Sequence, residues 1–308
     1  MKRVWHIGLL LVCLFGSAPM LAGSDRPLQA PPTVGLALGS GGAAGLAHIA
    51  MLQVFDELGV KPQHITGSSI GAVIGVLYAA GLSADQIHDI FADFDGSSLG
   101  ALSRMVRPDA RLGLTDLLRL NLGNGGLLDA SGFLEFLASH IKARRFDELA
   151  IPLAIVATDY WTGEPVVISQ GELLPALAAS MAVPGLFAPQ PSGERLLLDG
   201  GMSNPLPYNL LQGQVDIVVA IDVTGTRMRD EQDEVEISDL LFNTFKIMQQ
   251  SIIRAQMAAS RPDIYIKPDN NGIRLLHFNR IEAILTQAEP AAAELKQALL
   301  RRAGLGQR

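Results

Sequence analysis

Apolar residues fall into two kinds of run along this chain. Short ones, Val34-Gly35-Leu36-Ala37-Leu38, Ile151 to Thr158 and Asp216 to Val223, have the length of strands and are apolar at nearly every position. That is the pattern of strands covered on both faces of a sheet. Longer ones return to an apolar residue every three or four positions. From Ala44 to Leu58 this predicts a helix with Leu46, Ile49, Val54 and Phe55 inward, stopped by Gly59. Further helices are predicted from Ile70 to Ala80, from a Ser83 cap through Phe94, and from Leu173 to Ala182 before Pro184. Two more run from Ile237 to Ala259 and from Arg280 to Arg302. Shorter strands are predicted at His64 to Thr66, at Pro165 to Ser169 as a hairpin partner across Thr162-Gly163-Glu164, at Arg195 to Leu198, and at Ile264 to Lys267. The chain opens strand, loop, helix, strand, turn, helix, and that order implies a parallel sheet. No internal repeat and no second domain stand out.

Two regions depart from this rhythm. Between Gly96 and Leu128 apolar Leu99, Leu102, Met105 and Val106 mix with Arg104, Arg107 and Arg111, with helical pieces around Thr115–Leu120 and Ser131–His140. An apolar, basic flap over an acyl site or against lipid is one reading, and ordinary helical packing outside the sheet is the other. At the N-terminus, basic Met1-Lys2-Arg3, an apolar run from Ile7 to Phe15 and small residues at Ala22-Gly23-Ser24 have the layout of a secretory signal peptide. The apolar run is too short to span a bilayer comfortably. The expected organisation is a signal at 1–24, a Pro-rich linker at 25–32 and one domain at 33–308, exported to the periplasm or secreted.

Composition narrows the class. The chain has 308 residues, 48% of them hydrophobic and 18% charged, enough for a large core and too apolar for disorder. A net charge of −7 disfavours nucleic acid as a partner. Cys13, the one cysteine, lies inside the signal, so the mature chain is expected to hold no disulfide and no thiolate chemistry. The acidic run from Asp230 to Glu236 lacks the glycine and ligand spacing of a calcium loop and reads as solvated.

Three stretches carry candidate chemistry. Gly67-Ser68-Ser69-Ile70-Gly71, between a strand and a helix, fits the nucleophile elbow G-x-S-x-G, which presents a serine at a strained turn. Its other reading is a tight turn. Gly39-Ser40-Gly41-Gly42-Ala43-Ala44-Gly45 follows the first strand. As a dinucleotide cradle it would require an acidic residue at the end of the second strand, where Gly67-Ser68-Ser69 stands instead. As an oxyanion loop it offers the backbone N–H groups of Gly41 and Gly42 beside the serine. Asp199-Gly200-Gly201 ends a strand, and Asp199 is the best candidate to take a proton from Ser69, although the same tripeptide also reads as a turn.

Taken together, the glycine loop Gly39–Gly45, the elbow Gly67–Gly71, Ala179-Ser180-Met181-Ala182-Val183-Pro184 and Asp199-Gly200-Gly201, in this order, resemble the patatin-like phospholipases of the bacterial branch. The resemblance covers about Val34 to Val223. It implies a three-layer α/β/α sandwich with a mainly parallel central sheet, and a serine hydrolase of lipid acyl esters, phospholipase or lysophospholipase in type. By carry-over Ser69 is the nucleophile and Asp199 the base of a dyad without histidine. Gly41 and Gly42 form the oxyanion hole, supported by Gly39, Gly45, Gly67, Gly71, Gly200 and Gly201. The resemblance implies no cofactor and no metal, a lipid or acyl-ester substrate, and peripheral membrane contact. The family loop commonly reads G-G-G-x-R-G, and here Ser40 replaces a glycine and Ala44 the arginine. If that arginine holds a phosphate, less charged esters or slow turnover are expected.

Two other readings compete. In an α/β-hydrolase, Ser69, Asp199 and His277 would occur in the order of a Ser–Asp–His triad, but only one strand precedes the elbow strand here. His48, His64, His88 and His140 read as decoration of helices or strand edges. The third reading is a lipid-binding protein that keeps the fold without the activity.

Overall fold

The computed structural model describes residues 31–93, 130–225 and 237–302. The expected signal peptide, the whole Gly96–Leu128 region and the acidic run lie outside these residues. An eight-stranded sheet forms the centre. Its path is β5 (Gln190–Ser192), β6 (Arg195–Asp199), β3 (Leu153–Asp159), β2 (His64–Ser68), β1 (Val34–Leu38), β7 (Ile217–Ile221) and β8 (Ile264–Ile266), with β4 (Pro165–Ile168) paired to β3 off the path. From β3 to β8 neighbouring strands are parallel, whereas β4 and β6 run antiparallel to β3, and β5 antiparallel to β6. The sheet is therefore mainly parallel with an antiparallel flank, of which the β3–β4 hairpin was expected and the antiparallel run of β6 and β5 was not.

Alternation within the parallel strands explains their unbroken apolar sequences. Leu36, Leu38, Val219 and Ile221 enter the large core on one face, and Ala37, Val218 and Ala220 enter a smaller core on the other. The large core holds α1 (Ala47–Leu58), α2 (Ile70–Ala79), α3 (Ala84–Asp93) and α7 (Ile281–Arg302). Also packed there are α4 (Ser131–Ser139) and most of α5 (Leu173–Ser180). Across the sheet, Tyr208, Leu211 and Ile253 of α6 (Ile237–Ala259) close the second layer. The result is a three-layer α/β/α arrangement.

Local chemistry sets several boundaries. Ser83 and Gln86 form a reciprocal cap, Gln86 N–H donating to Ser83 Oγ (3.2 Å) and Ser83 N–H to Gln86 Oε1 (2.9 Å), and this starts α3. Gly59, at φ 64°, ends α1 as expected. The helix expected from Ala44 is divided into a 3-10 turn at Gly42–Leu46 and α1. The turn passes close to α2 at Gly45, where a Cβ would lie 2.2 Å from Ile70 Cγ2. The short strand β5 was not expected. It contains Pro191 and sits at the sheet edge, where a missing N–H is tolerated.

Candidate active site

Ser69 stands between β2 and α2 with φ 56° and ψ −124°. It is the one non-glycine residue with positive φ among the described residues. Such a conformation costs on the order of 1–3 kcal/mol and persists only where the surroundings impose it. They do so here. The N–H groups of Ala72 and Val73 donate to Ser69 O (2.9 and 3.2 Å), and Ser69 N–H donates to Ser180 Oγ (2.9 Å). Both elbow glycines are needed for approach. A Cβ on Gly67 would meet Gly71 O at 2.5 Å, and one on Gly71 would meet Leu38 O at 2.1 Å.

Asp199 is the last residue of β6 and is nearly fully buried. Its Oδ2 accepts a 2.6 Å hydrogen bond from Ser69 Oγ, and its Oδ1 accepts from Gly201 N–H at 2.7 Å. Register explains the meeting. Ser68 pairs with Val156 and Asp199 with Ala157, so Ser69 and Asp199 are level on opposite sides of β3. Asp199 ends a strand, as expected, but that strand runs opposite to the one that carries Ser69. Glycine again permits the fit, since a Cβ on Gly200 would lie 2.1 Å from Val156 O. Burial pushes the Asp199 carboxyl up to about 6, against the opposing pull of the hydrogen bonds from Ser69 and Gly201. A carboxylate tuned to this range is ionised at neutral pH yet basic enough to take a proton.

The glycine loop abuts the elbow through Gly45 against Ile70 and through Gly71 against Leu38 and Gly39. Its N–H groups divide into two sets. Gly39 N–H donates to Ile221 O (3.0 Å), Ser40 N–H to Pro205 O (2.8 Å) and Ala43 N–H to Leu275 O (2.8 Å). Those of Gly41 and Gly42 have no acceptor among the described residues. Ala44 is buried in the large core, so an arginine there would have to leave apolar packing to reach a phosphate.

The histidines sort differently from expectation. Neither oxygen of Asp199 bonds a histidine among the described residues, and His277 Nδ1 instead accepts from Arg274 N–H (3.2 Å). His88 and His140 are indeed surface decoration. His48 is not: it is completely buried and bonded to Gly39 O at 2.9 Å. Ser180 is a second residue whose part sequence reasoning missed. It lies inside a matched motif, but its partners are distant in sequence: besides accepting from Ser69 N–H, its Oγ donates to Val156 O (2.6 Å). Among the described residues no group of three or more His, Cys, Asp or Glu side chains converges to hold a metal. A groove of about 670 Å³ lies at the other end of β2 and β3, lined by His64, Thr66, Phe146, Leu153 and Leu211, away from Ser69.

Comparison with known proteins agrees with the motifs. The family described as patatin-like phospholipase matches residues 36–211, more than half of the chain. An uncharacterised NTE-family protein of Mycobacterium tuberculosis is 36% identical over 203 residues, covering 66% of this chain and 52% of that protein. Patatin-like phospholipase domain-containing protein 7 of Rattus norvegicus is 29% identical over 211 residues, covering 68% of this chain and 14% of that protein. The chain thus spans about half the length of the mycobacterial relative and a small part of the rat one. Among solved structures, VipD from Legionella pneumophila has a TM-score of 0.47 at 15% identity, covering 87% of this chain and 67% of that one. ExoU of Pseudomonas aeruginosa, in complex with SpcU, has 0.46 at 12%, covering 89% and 53%. Neither structural likeness adds weight at these scores. The match of the family across the glycine loop, the elbow and the strand bearing Asp199 decides the matter: this chain belongs to the patatin-like phospholipase family.

Proposed function

We propose that this chain hydrolyses carboxylic esters of lipids, phospholipase or lysophospholipase in type, with Ser69 as nucleophile and Asp199 as base. The observation that carries the reading is the 2.6 Å bond from Ser69 Oγ to the buried Asp199 carboxylate. Serine is a poor nucleophile until a base takes its proton. Asp199 accepts that proton as Ser69 Oγ adds to the acyl carbonyl. The negative charge that forms on the carbonyl oxygen falls to the unspent N–H groups of Gly41 and Gly42 and to the N-terminus of α2. Asp199 returns the proton to the departing alcohol oxygen, leaving an acyl-serine. Water then attacks the acyl carbon, Asp199 takes the water's proton, and the fatty acid leaves as Ser69 regains its hydrogen.

A lipid substrate also gives a use to the exposed apolar surface. Tyr160 and Trp161, 54% and 69% exposed, follow β3 beyond the level of Ser69 and pack edge to face. On α6, Leu240, Leu241, Ile247 and Met248 are exposed at helical spacing. Gln250, further along α6, reaches Gly225 O just past the end of β7, so these residues extend past the carboxyl edge of the sheet. Aromatic and aliphatic side chains there suit peripheral contact with a bilayer. No described helix is long and apolar enough to cross one. Export to the periplasm or secretion completes the reading, and native protein whose N-terminal residue is Met1 would remove that part.

The experiment is a hydrolysis screen of the purified chain against phospholipids, lysophospholipids and short acyl esters, beside Ser69→Ala and with fluorophosphonate labelling of the serine. Ser69-dependent release of fatty acid is expected. A folded protein that binds lipid vesicles but neither hydrolyses any ester nor reacts with the label would be the non-enzymatic alternative.

A further inference from the structure

The first peptide of the glycine loop is held at each polar group. Gly39 N–H donates to Ile221 O and Ser40 N–H to Pro205 O, while the carbonyl of Gly39 faces His48 Nε2 at 2.9 Å. A carbonyl oxygen can only accept, so Nε2 carries a hydrogen, and burial, which disfavours the charged ring, leaves Nδ1 without one. His48 sits at the second position of α1 and is completely enclosed. Its Nδ1 is then a bare acceptor, and it has no partner among the described residues. Enclosing an unpaired acceptor is unfavourable, and a methionine or leucine of similar volume would avoid that cost. Burial also holds the imidazole down to about 4, against the upward pull of the hydrogen bond to Gly39 and of the Asp222 charge, so the neutral donor persists at ordinary pH. What His48 offers in return is one directed hydrogen bond to the backbone just ahead of Gly41 and Gly42.

We propose that His48 is a positioning residue for the oxyanion loop: its Nε2–H fixes the Gly39–Ser40 peptide plane and thereby aims the N–H groups of Gly41 and Gly42. This rests on the reading of those two N–H groups as oxyanion donors. Glycine peptides rotate with little hindrance, and Gly41 and Gly42 have no side chain to hold them. The direction of their N–H groups is therefore set by the peptides held on either side, Gly39–Ser40 before them and the peptide of Ala43 N–H, bonded to Leu275 O, after them. In the Gly39–Ser40 peptide, Pro205 O holds the N–H, that of Ser40, His48 holds the carbonyl, and Ile221 O holds the N–H of the peptide before it.

The test uses three substitutions assayed on a short soluble acyl ester, with kcat and KM separated, and with inhibition by a trifluoromethyl ketone that forms an oxyanion on Ser69. In His48→Gln the amide nitrogen reaches about where Nε2 stands. In His48→Asn it reaches only about where Nδ1 stands. His48→Met removes the donor and keeps the volume. The expected result is a fall in kcat of roughly 10–100-fold for Met and Asn, less than deleting an oxyanion donor outright, with KM nearly unchanged. Inhibitor affinity should weaken in parallel, and Gln should restore most of both. Activities are taken per folded molecule, and should Met fail to fold, the Gln and Asn pair still decides. Equal kcat for Gln and Asn, or wild-type kcat and inhibitor affinity in Met, overturns the proposal. Wild-type protein with Ser69-dependent hydrolysis that is indifferent to His48 rejects this inference alone. Wild-type protein that neither hydrolyses nor takes the fluorophosphonate label rejects the catalytic reading and this inference with it.

Discussion

The two flanks of the sheet deliver their parts of the site by different means. On the parallel flank, β1 and β2 run the same way side by side, so the glycine loop and the elbow are carried to one edge by strand direction alone. On the antiparallel flank β6 runs against β3, and strand direction would carry its end away from that edge. Asp199 is level with Ser69 only because it pairs with Ala157. A slip of one residue in that pairing would turn the carboxylate to the other face. The parallel flank is thus positioned by topology, and the antiparallel flank by register. The register is tied down twice at the end of α5: Ser180 Oγ holds Ser69 N–H, and Ala182 O accepts from Asp199 N–H at 3.0 Å.

The largest expected effect comes from removing the functional group of either flank. Ser69→Ala and Asp199→Asn should each lower turnover on the order of 10³-fold or more, with the double variant little worse than either single one. His277→Ala should leave turnover unchanged. A His277→Ala protein that folds but has lost hydrolysis would revive the triad.

Next in size is the tie between the flanks. Ser180→Ala leaves Ser69 N–H and Val156 O without their buried partner. It should cost about 1–3 kcal/mol in chemical denaturation. If α5 sets the spacing of the pair, kcat should also fall about tenfold, in the manner of catalytic groups displaced by a fraction of an ångström. A loss of stability with full kcat would mean that β3 register suffices by itself.

The pH dependence isolates the antiparallel flank. Asp199 must be ionised to act, so log kcat should rise with pH with unit slope and level off above about 6. Stability should move the other way. The folded-state value lies above the usual carboxylate range, so the proton is bound more tightly in the folded chain. The stabilisation this gives is full below pH ~4 and is lost as pH rises through about 6. Asp199→Asn, which cannot ionise, should therefore gain melting temperature relative to wild type at pH 8 and lose that advantage at pH 4. An unchanged difference across that range would contradict the burial of a charged carboxylate.

The smallest effect concerns the edge shared by both flanks. Trp161→Ala, or Leu240→Ser with Leu241→Ser, should lower hydrolysis of vesicle phospholipid a few-fold, since each exposed aromatic or aliphatic residue adds about 1 kcal/mol or more of apolar contact. Rates on a soluble ester should not change. Equal losses on both substrates would place these residues in the folding of the site rather than at a lipid surface.

Much of this was legible in the chain because it is local. A strand followed by Gly67-x-Ser69-x-Gly71 and a helix can hardly form anything but a strained turn, and unbroken apolar strands of five residues must be covered on both sides. Other features were not legible, because they depend on residues far apart in sequence. Nothing near His48 in sequence distinguishes a surface histidine from one whose ring closes on Gly39 O. Nor does the sequence around Asp199 reveal that β6 runs against β3, because a five-residue strand reads the same in either direction. The core packing around Ala44 is likewise invisible, since alanine is at home both in a core and on a surface.

The amino-acid sequence by itself determined most of the elements, the order of the motifs and the candidate serine and carboxylate. Each follows from side-chain chemistry and from periodicities that act over a few residues. The tertiary structure alone decided that Ser69 and Asp199, 130 positions apart, share a proton-sized distance. It also decided that Ser180 and His48 hold the two backbones that matter. Those contacts cross between strands and helices, where geometry is fixed by register and by packing at ångström tolerance, and no local pattern carries that information.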